Sequence, residues 1–146
     1  MPIVATRLSL VRTARWRPEF ELREDGRPLG RLLWGGAPGT AEATVGDRVF
    51  TLAPGIGCSA VDATGADGRL GARLRDGEIT LGSETRPAVT WLRNRTKGTC
   101  AELVGPSCSA TLRVRRRTVA GYDVAVDGEL QERELLLLLA GYDLMR

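Results

Sequence analysis

The residues of this chain best suited to bind a ligand form the run Arg113-Val114-Arg115-Arg116-Arg117. Alternate residues of an extended strand point to the same side, so Arg113, Arg115 and Arg117 would share one face. Guanidinium groups hydrogen-bond phosphate oxygens in pairs, and three of them on an outer face could hold a phosphate or an anionic head group. The alternative is a solvated outer strand whose arginines pair with glutamates of a neighbouring strand.

A second basic segment, residues 93–98, carries Arg93, Arg95 and Lys97 and is typical of a polar hairpin loop. If this loop lies near Arg113 in the fold, its three cations extend the arginine run into a larger anion-binding patch. We therefore predict that the two basic segments join in space.

The chain has 146 residues and no histidine, which excludes several kinds of catalytic site. Serine or cysteine nucleophiles that depend on a histidine base, and zinc or iron sites with histidine ligands, cannot be built. Cys58, Cys100 and Cys108 lack both zinc-site spacing and a nearby base, and their odd number indicates reduced thiols rather than a disulfide framework. The sequence therefore predicts no catalytic residue, no metal site and no cofactor.

The glycine- and aspartate-rich segments are interpreted as turns. Residues 34–36 and 55–57 resemble phosphate-binding loops only in their glycines, because no helix pattern follows either of them. Asp62, Asp67 and Asp76 lack the ligand at every second position that a calcium loop requires. Turn formation explains all five features.

The overall charge gives little support to nucleic-acid binding. Lys and Arg number 21 against 18 Asp and Glu, a net charge of +3 that is spread along the chain. With only seven aromatic residues, the chain also has few side chains on which bases could stack. Weak nucleic-acid binding is therefore the weaker interpretation of the arginines.

Short apolar or alternating segments recur between turn signals from Ile3 to about Gly128, a pattern that predicts an all-β arrangement. Asp25-Gly26 provides the positive φ angles that a tight hairpin turn needs. Ten to twelve short strands at this spacing predict a barrel or a sandwich. The predicted strands are residues 3–11, 20–23, 29–34, 43–45, 49–52, 59–63, 69–74, 78–81, 88–93, 99–104, 110–116 and 122–126.

The last segment, residues 130–145, breaks this pattern and predicts a helix that is apolar on every side. Such a helix must be surrounded by the rest of the chain. A membrane span needs about 20 apolar residues, whereas Asp143 interrupts this run soon after Leu135. We therefore predict a barrel of about ten to twelve antiparallel strands that encloses its C-terminal helix. The alternative is a sheet or sandwich with the helix packed on one face.

The strand-turn units 20–27 and 61–65, together with the leucine-rich final helix, resemble the tubby C-terminal-like superfamily, which includes LURP-one-related proteins and phospholipid scramblases. The resemblance extends from about Phe20 to Met145 and implies a twelve-stranded barrel around a hydrophobic helix. Tubby domains bind phosphoinositides through basic side chains on the barrel exterior, but the members differ in activity. This chain lacks the calcium-loop segment of the scramblases and a cysteine cluster that could be acylated.

From these observations we expect a single domain over residues 1–146 that serves as a non-enzymatic binding or scaffolding module in the cytoplasm. Its expected ligand is an anionic lipid or another phosphate-bearing partner, bound peripherally and without a transmembrane segment. A competing interpretation is a small-molecule-binding or enzymatic barrel with an interior pocket, lined by carboxylates near Asp62 or Glu102. The two interpretations differ in whether the helix fills the barrel.

Overall fold

The structure, a computed structural model, describes residues 6–13, 18–35, 39–55, 60–82, 84–93, 100–114 and 121–145, and these form a closed antiparallel barrel followed by a helix. Each strand pairs with the next along the chain, and the last strand pairs with the first. The strands are β1 (Thr6–Arg12), β2 (Glu19–Glu24), β3 (Arg27–Trp34), β4 (Ala41–Val45), β5 (Arg48–Pro54), β6 (Val61–Gly65), β7 (Leu70–Arg75), β8 (Glu78–Leu81), β9 (Val89–Arg93), β10 (Cys100–Val104), β11 (Ser109–Val114) and β12 (Gly121–Asp127), and the helix is α1 (Arg133–Met145). The predicted barrel with a C-terminal helix is confirmed, and the alternative of a sandwich or open sheet is wrong.

Consecutive strands run up and down, so alternate connections lie at opposite ends of the barrel. We call the end at which α1 begins the helix-start rim and the end at which α1 finishes the helix-end rim. The helix-start rim contains the strand ends Glu24, Val45, Leu81 and Asp127, and the helix-end rim contains the strand ends Arg12, Trp34, Arg93 and Val114.

The aspartate-glycine turns adopt the positive φ angles that the sequence predicts. Asp25 and Gly26 have φ angles of 51° and 77°, and Asp76 and Gly77 have φ angles of 52° and 75°. Two successive positive φ angles match the twist of the flanking strands, and aspartate followed by glycine tolerates them best. These turns connect β2 to β3 and β7 to β8.

The helix passes through the interior of the barrel. Leu135–Leu139 are at most 1% exposed and belong to the same apolar cluster as the inward-facing residues of the strands. Twelve strands about 4.8 Å apart and tilted by about 40° enclose a diameter of roughly 24 Å, enough for a helix and one layer of side chains. The leucines therefore fill the interior.

Small inward-facing residues make room for the helix where it lies closest to the wall, beside β3 and β4. Ala41 and Ala43 point inward from β4 and are fully buried. A Cβ atom on Gly30 of β3 would lie 3.2 Å from Cδ1 of Leu138 and 3.0 Å from the carbonyl oxygen of Thr44. Glycine at position 30 thus allows the leucine of the helix to pack directly against the strand.

The observed elements differ from the predicted ones mainly at their boundaries. The helix begins at Arg133, because Gly128 and Glu132 adopt positive φ angles of 78° and 53° and turn the chain between β12 and α1. Leu130, predicted to begin the helix, is instead buried in this turn. Predicted strand residues 3–5, 59, 99 and 115–116 lie outside the described residues.

Candidate functional site

The helix-end rim collects most of the aromatic side chains. Five of the seven aromatic residues of the chain lie near the strand or helix ends at this rim, on the side of the wall that faces the interior. They are Phe20, Trp34, Trp91, Tyr122 and Tyr142. Two of these side chains, Trp34 and Trp91, contact the last turn of the helix.

Trp34 and Tyr142 close one side of this rim. Their rings stack with centroids 4.8 Å apart and an angle of 12° between the planes. The Tyr142 hydroxyl donates a hydrogen bond to the carbonyl oxygen of Gly39, in the connection between β3 and β4. The ring of Tyr142 is fully buried, so this hydrogen bond satisfies a hydroxyl that water cannot reach.

Asp143 holds the other side of the rim. Its carboxylate Oδ2 accepts a 2.8 Å hydrogen bond from the indole Nε1 of Trp91 and lies 3.8 Å from Nη1 of Arg93. The same Nη1 donates to the main-chain carbonyl oxygen of Asp143 at 3.3 Å. A carboxylate in the last turn of a helix opposes the helix dipole, so a buried Asp143 needs these donors.

Arg93, one of the predicted anion-binding residues, therefore has a structural partner. It has the same strand phase as the buried residues Val89 and Trp91, which directs it toward the interior side of the rim. Its side chain remains 45% exposed. The positive charge also acts on Tyr122, where it opposes the effect of burial, which raises the pKa of the phenol. The positive charge of Arg93 thus partly offsets the negative charge at the C-terminal end of the helix.

Arg113, the second predicted residue within the described residues, lies on the outer face and is exposed. In the register it stands opposite Cys100 of β10 and Asp123 of β12. An exposed pair of opposite charges on neighbouring strands stabilises a sheet only slightly, so Arg113 stays open to a ligand.

The structure brings the described parts of the two basic segments to the same rim. Arg93 pairs with Ala101, and Arg113 pairs with the adjacent Cys100, so the two arginines flank β10 on opposite faces of the wall. The remaining predicted residues, Arg95, Lys97, Arg115 and Arg117, lie outside the described residues. Their membership of one patch stays a prediction.

The distribution of charge along the chain is more polarised than its total indicates. The connections β1–β2, β9–β10 and β11–β12, residues 13–18, 94–99 and 115–120, contain seven of the 21 cationic residues and no acidic residue.

These three connections join strands that are neighbours in the barrel. The order β9, β10, β11, β12, β1, β2 is continuous around half of the wall, and each connection leaves the wall from the helix-end rim. The sequence pattern alone did not single out Arg15 and Arg17; the closure of β1 against β12 brings the ends of β1 and β2, the strands that flank them in the sequence, into the same half of the rim. Counting strands would have revealed this, because every odd-to-even connection of an up-and-down barrel falls at one end.

The carboxylates considered for an enzymatic pocket point away from the interior. Asp62 lies on the outer face of β6 and accepts hydrogen bonds of 2.7 and 3.2 Å from Arg73, which raise the pKa of that arginine. Glu102 is exposed on β10, opposite Leu92 and Thr111. In the described ranges, no three Cys, Asp or Glu side chains are grouped so that they could hold a metal ion.

Within the residues that the structure describes, no helix has both the length and the apolar character needed to cross a membrane. No protein-family model, curated protein or solved structure matches this chain. No relative therefore assigns an activity to the rim residues.

Proposed function

We propose that this protein is a non-enzymatic binding or scaffolding module of the tubby-like kind, which binds an anionic, phosphate-bearing surface through cations at the helix-end rim. The observation that carries the proposal is the packing of Leu135–Leu139 in the interior. A barrel filled by its own helix has to meet its ligand on the outside. An anionic lipid surface in the cytoplasm is the partner that we favour.

The charge distribution supports a surface rather than a single small ligand. The three cationic connections start from half of the circumference, which corresponds to roughly 35 Å of rim. That length spans several lipid head groups. Each Lys or Arg near an anionic bilayer contributes about 1 kcal/mol, so several cations on one rim give useful affinity without a deep pocket.

The charge of the helix-start rim supports one orientation. Its strand ends and connections contain eight acidic residues against five arginines, counted over residues 24–27, 45–48, 65–70, 81–89, 104–109 and 127–133. An anionic surface repels this end and attracts the opposite one. The proposed orientation therefore directs the end of α1 toward the lipid.

Sedimentation with vesicles tests the proposal. We expect the protein to sediment with phosphatidylcholine vesicles that contain phosphatidylserine or a phosphoinositide, to remain in solution with pure phosphatidylcholine, and to dissociate at high salt. Arg113→Glu combined with Arg115→Glu should abolish sedimentation. A matched control, Arg27→Glu combined with Arg69→Glu, changes the net charge equally at exposed positions of the helix-start rim and should bind much better.

Two results would contradict the proposal: no sedimentation of the parent protein with any anionic vesicle, or equal loss in the two double variants. The second result would mean that net charge, and not the helix-end rim, determines binding. Adding free nucleic acid to the vesicle assay as a competitor would test the weaker alternative, that the cations bind nucleic acid.

A further inference from the structure

A cleft of about 350 Å³ opens at the helix-start rim, on the opposite end of the barrel from the cationic connections. It lies between the inner edge of the wall and the turn that leads into α1. This volume falls within the range of small-molecule sites in proteins. Its lining includes Arg48, Phe50, Leu81, Glu84, Gln131 and Glu132.

The floor of the cleft is apolar. Phe50, Leu81 and Leu135 contribute side chains from β5, β8 and α1. Gly71 leaves room for the ring of Phe50, since a Cβ atom at position 71 would lie 2.6 Å from its Cε1. Only the edges of these side chains reach the cleft, because Phe50, Leu81 and Leu135 are 7%, 5% and 1% exposed, so the apolar part of a ligand has to be small.

Arg48 already has a carboxylate partner in the cleft. Its Nη2 donates to Oε2 of Glu132 at 2.8 Å, its Nη1 reaches Oε1 at 3.5 Å, and its guanidinium lies 5.4 Å from the centre of the Phe50 ring. The hydrogen bond that Arg48 donates to Glu132 raises the pKa of Arg48, and the negative charges of Glu132, Asp47 and Glu134 raise it further. An anionic ligand would have to displace Glu132 from this pairing.

Glu84 is the uncompensated charge of the cleft. Its side chain is exposed, and within the described part of the chain it forms no ion pair. Since Arg48 and Glu132 neutralise one another, the lining carries one net negative charge. The carboxylate of Glu84 therefore favours a cationic group above an apolar floor.

We infer that this cleft binds a small organic cation with a short apolar portion. The ammonium or guanidinium group pairs with Glu84 beside Gln131, and the short apolar portion packs on the exposed edges of Phe50 and Leu81. This second site is separate from the proposed lipid-binding rim, so the two can be tested independently.

Amide chemical shifts report on the cleft directly. We expect titration with 2-phenylethylammonium to give saturable shifts at Gly71, Gly82 and Gln131. The anionic probe 3-phenylpropionate, which is similar in size, should give none there. Glu84→Gln should weaken binding of the cation by about two- to fivefold, the range of an exposed ion pair, whereas the control Glu78→Gln at the other rim should leave it unchanged.

The inference fails if the cation causes no saturable shift at the cleft, if the anion shifts the same amides equally, or if Glu84→Gln binds as the parent does. Neither variant removes a buried group, so both should fold. Loss of vesicle binding in the arginine variants would leave this result unaffected, because those substitutions lie outside the cleft.

Discussion

The indole nitrogen of Trp91 donates a 2.8 Å hydrogen bond to Oδ2 of Asp143 and so connects strand β9 to the last turn of the interior helix. The leucines of α1 are apolar on every side, so hydrophobicity alone gives the helix no preferred rotation in the barrel. At the opposite rim, Arg48 pairs with Glu132, the residue before the helix. Polar contacts at both ends, together with the close packing of Leu138 on Gly30, therefore constrain the depth and rotation of the helix.

Trp91→Phe tests this anchoring. The substitution keeps most of the apolar volume but removes a donor from a buried carboxylate, which should lower the free energy of unfolding by about 1–3 kcal/mol. Adding Asp143→Asn, which removes the charge, should cost less in the Trp91→Phe background than in the parent. Urea denaturation of the four proteins measures this coupling, and strictly additive effects would contradict the anchoring role.

Leu137→Asp should abolish folding. Leu137 is 1% exposed and would bring a carboxylate without a partner into the interior of the barrel. The control is Leu92→Asp, since Leu92 lies on the outer face and is 51% exposed. Circular dichroism and size-exclusion chromatography should show a folded control and an unfolded or aggregated Leu137→Asp; a native-like Leu137→Asp would mean that the helix is peripheral.

Gly30→Ala should destabilise the protein, because β3 lies close to the helix at this position. The added methyl group would lie 3.2 Å from Cδ1 of Leu138, and overpacking of this kind costs about 1–3 kcal/mol. Leu138→Ala alone should cost about 2–5 kcal/mol through the cavity that it leaves. In thermal unfolding, the double variant should be more stable than the sum of the two single effects predicts. Simple additivity would show that these two positions do not share the same space.

Alkaline pH should destabilise the protein through Tyr122. Burial raises the pKa of this phenol, so between the ordinary value of about 10 and the raised value the unfolded chain loses its proton and the folded chain keeps it. The contribution of Tyr122 to stability is therefore complete below pH 10 and is lost as the pH rises through the folded-state pKa. Tyr122→Phe should show a shallower decline in melting temperature over this interval. An identical decline in both proteins would assign the effect to other groups.

The fold could be predicted from local patterns because its elements are strongly marked. Aspartate-glycine pairs such as Asp25-Gly26 indicate the hairpins, and the leucine run of residues 135–139 indicates a helix that must be surrounded. The position of Arg93 was harder to predict. The sequence assigns it to a basic loop, whereas its strand phase relative to Trp91 turns it toward the end of the helix.

The contacts that join distant elements could not be predicted in the same way. In the sequence, Asp143 is recognisable only as the residue that interrupts an apolar run. In the structure it accepts hydrogen bonds from two residues of β9, about fifty positions earlier. The cleft beside Glu84 is built from β5, β7, β8 and the turn before α1, none of which carries a motif. Such sites depend on barrel closure, and local spacing does not encode which strand ends meet.

The position of α1 after all twelve strands has a consequence for biosynthesis. The ribosome releases the entire wall of the barrel before the leucines that fill it. The inward-facing apolar residues of the emerging strands therefore have no helix against which to pack. The pairing of β1 with β12 joins residues more than a hundred positions apart, and such non-local contacts form slowly. Until the helix has been synthesised, the nascent chain exposes apolar strands that favour aggregation, and it is at this stage that chaperones would be needed.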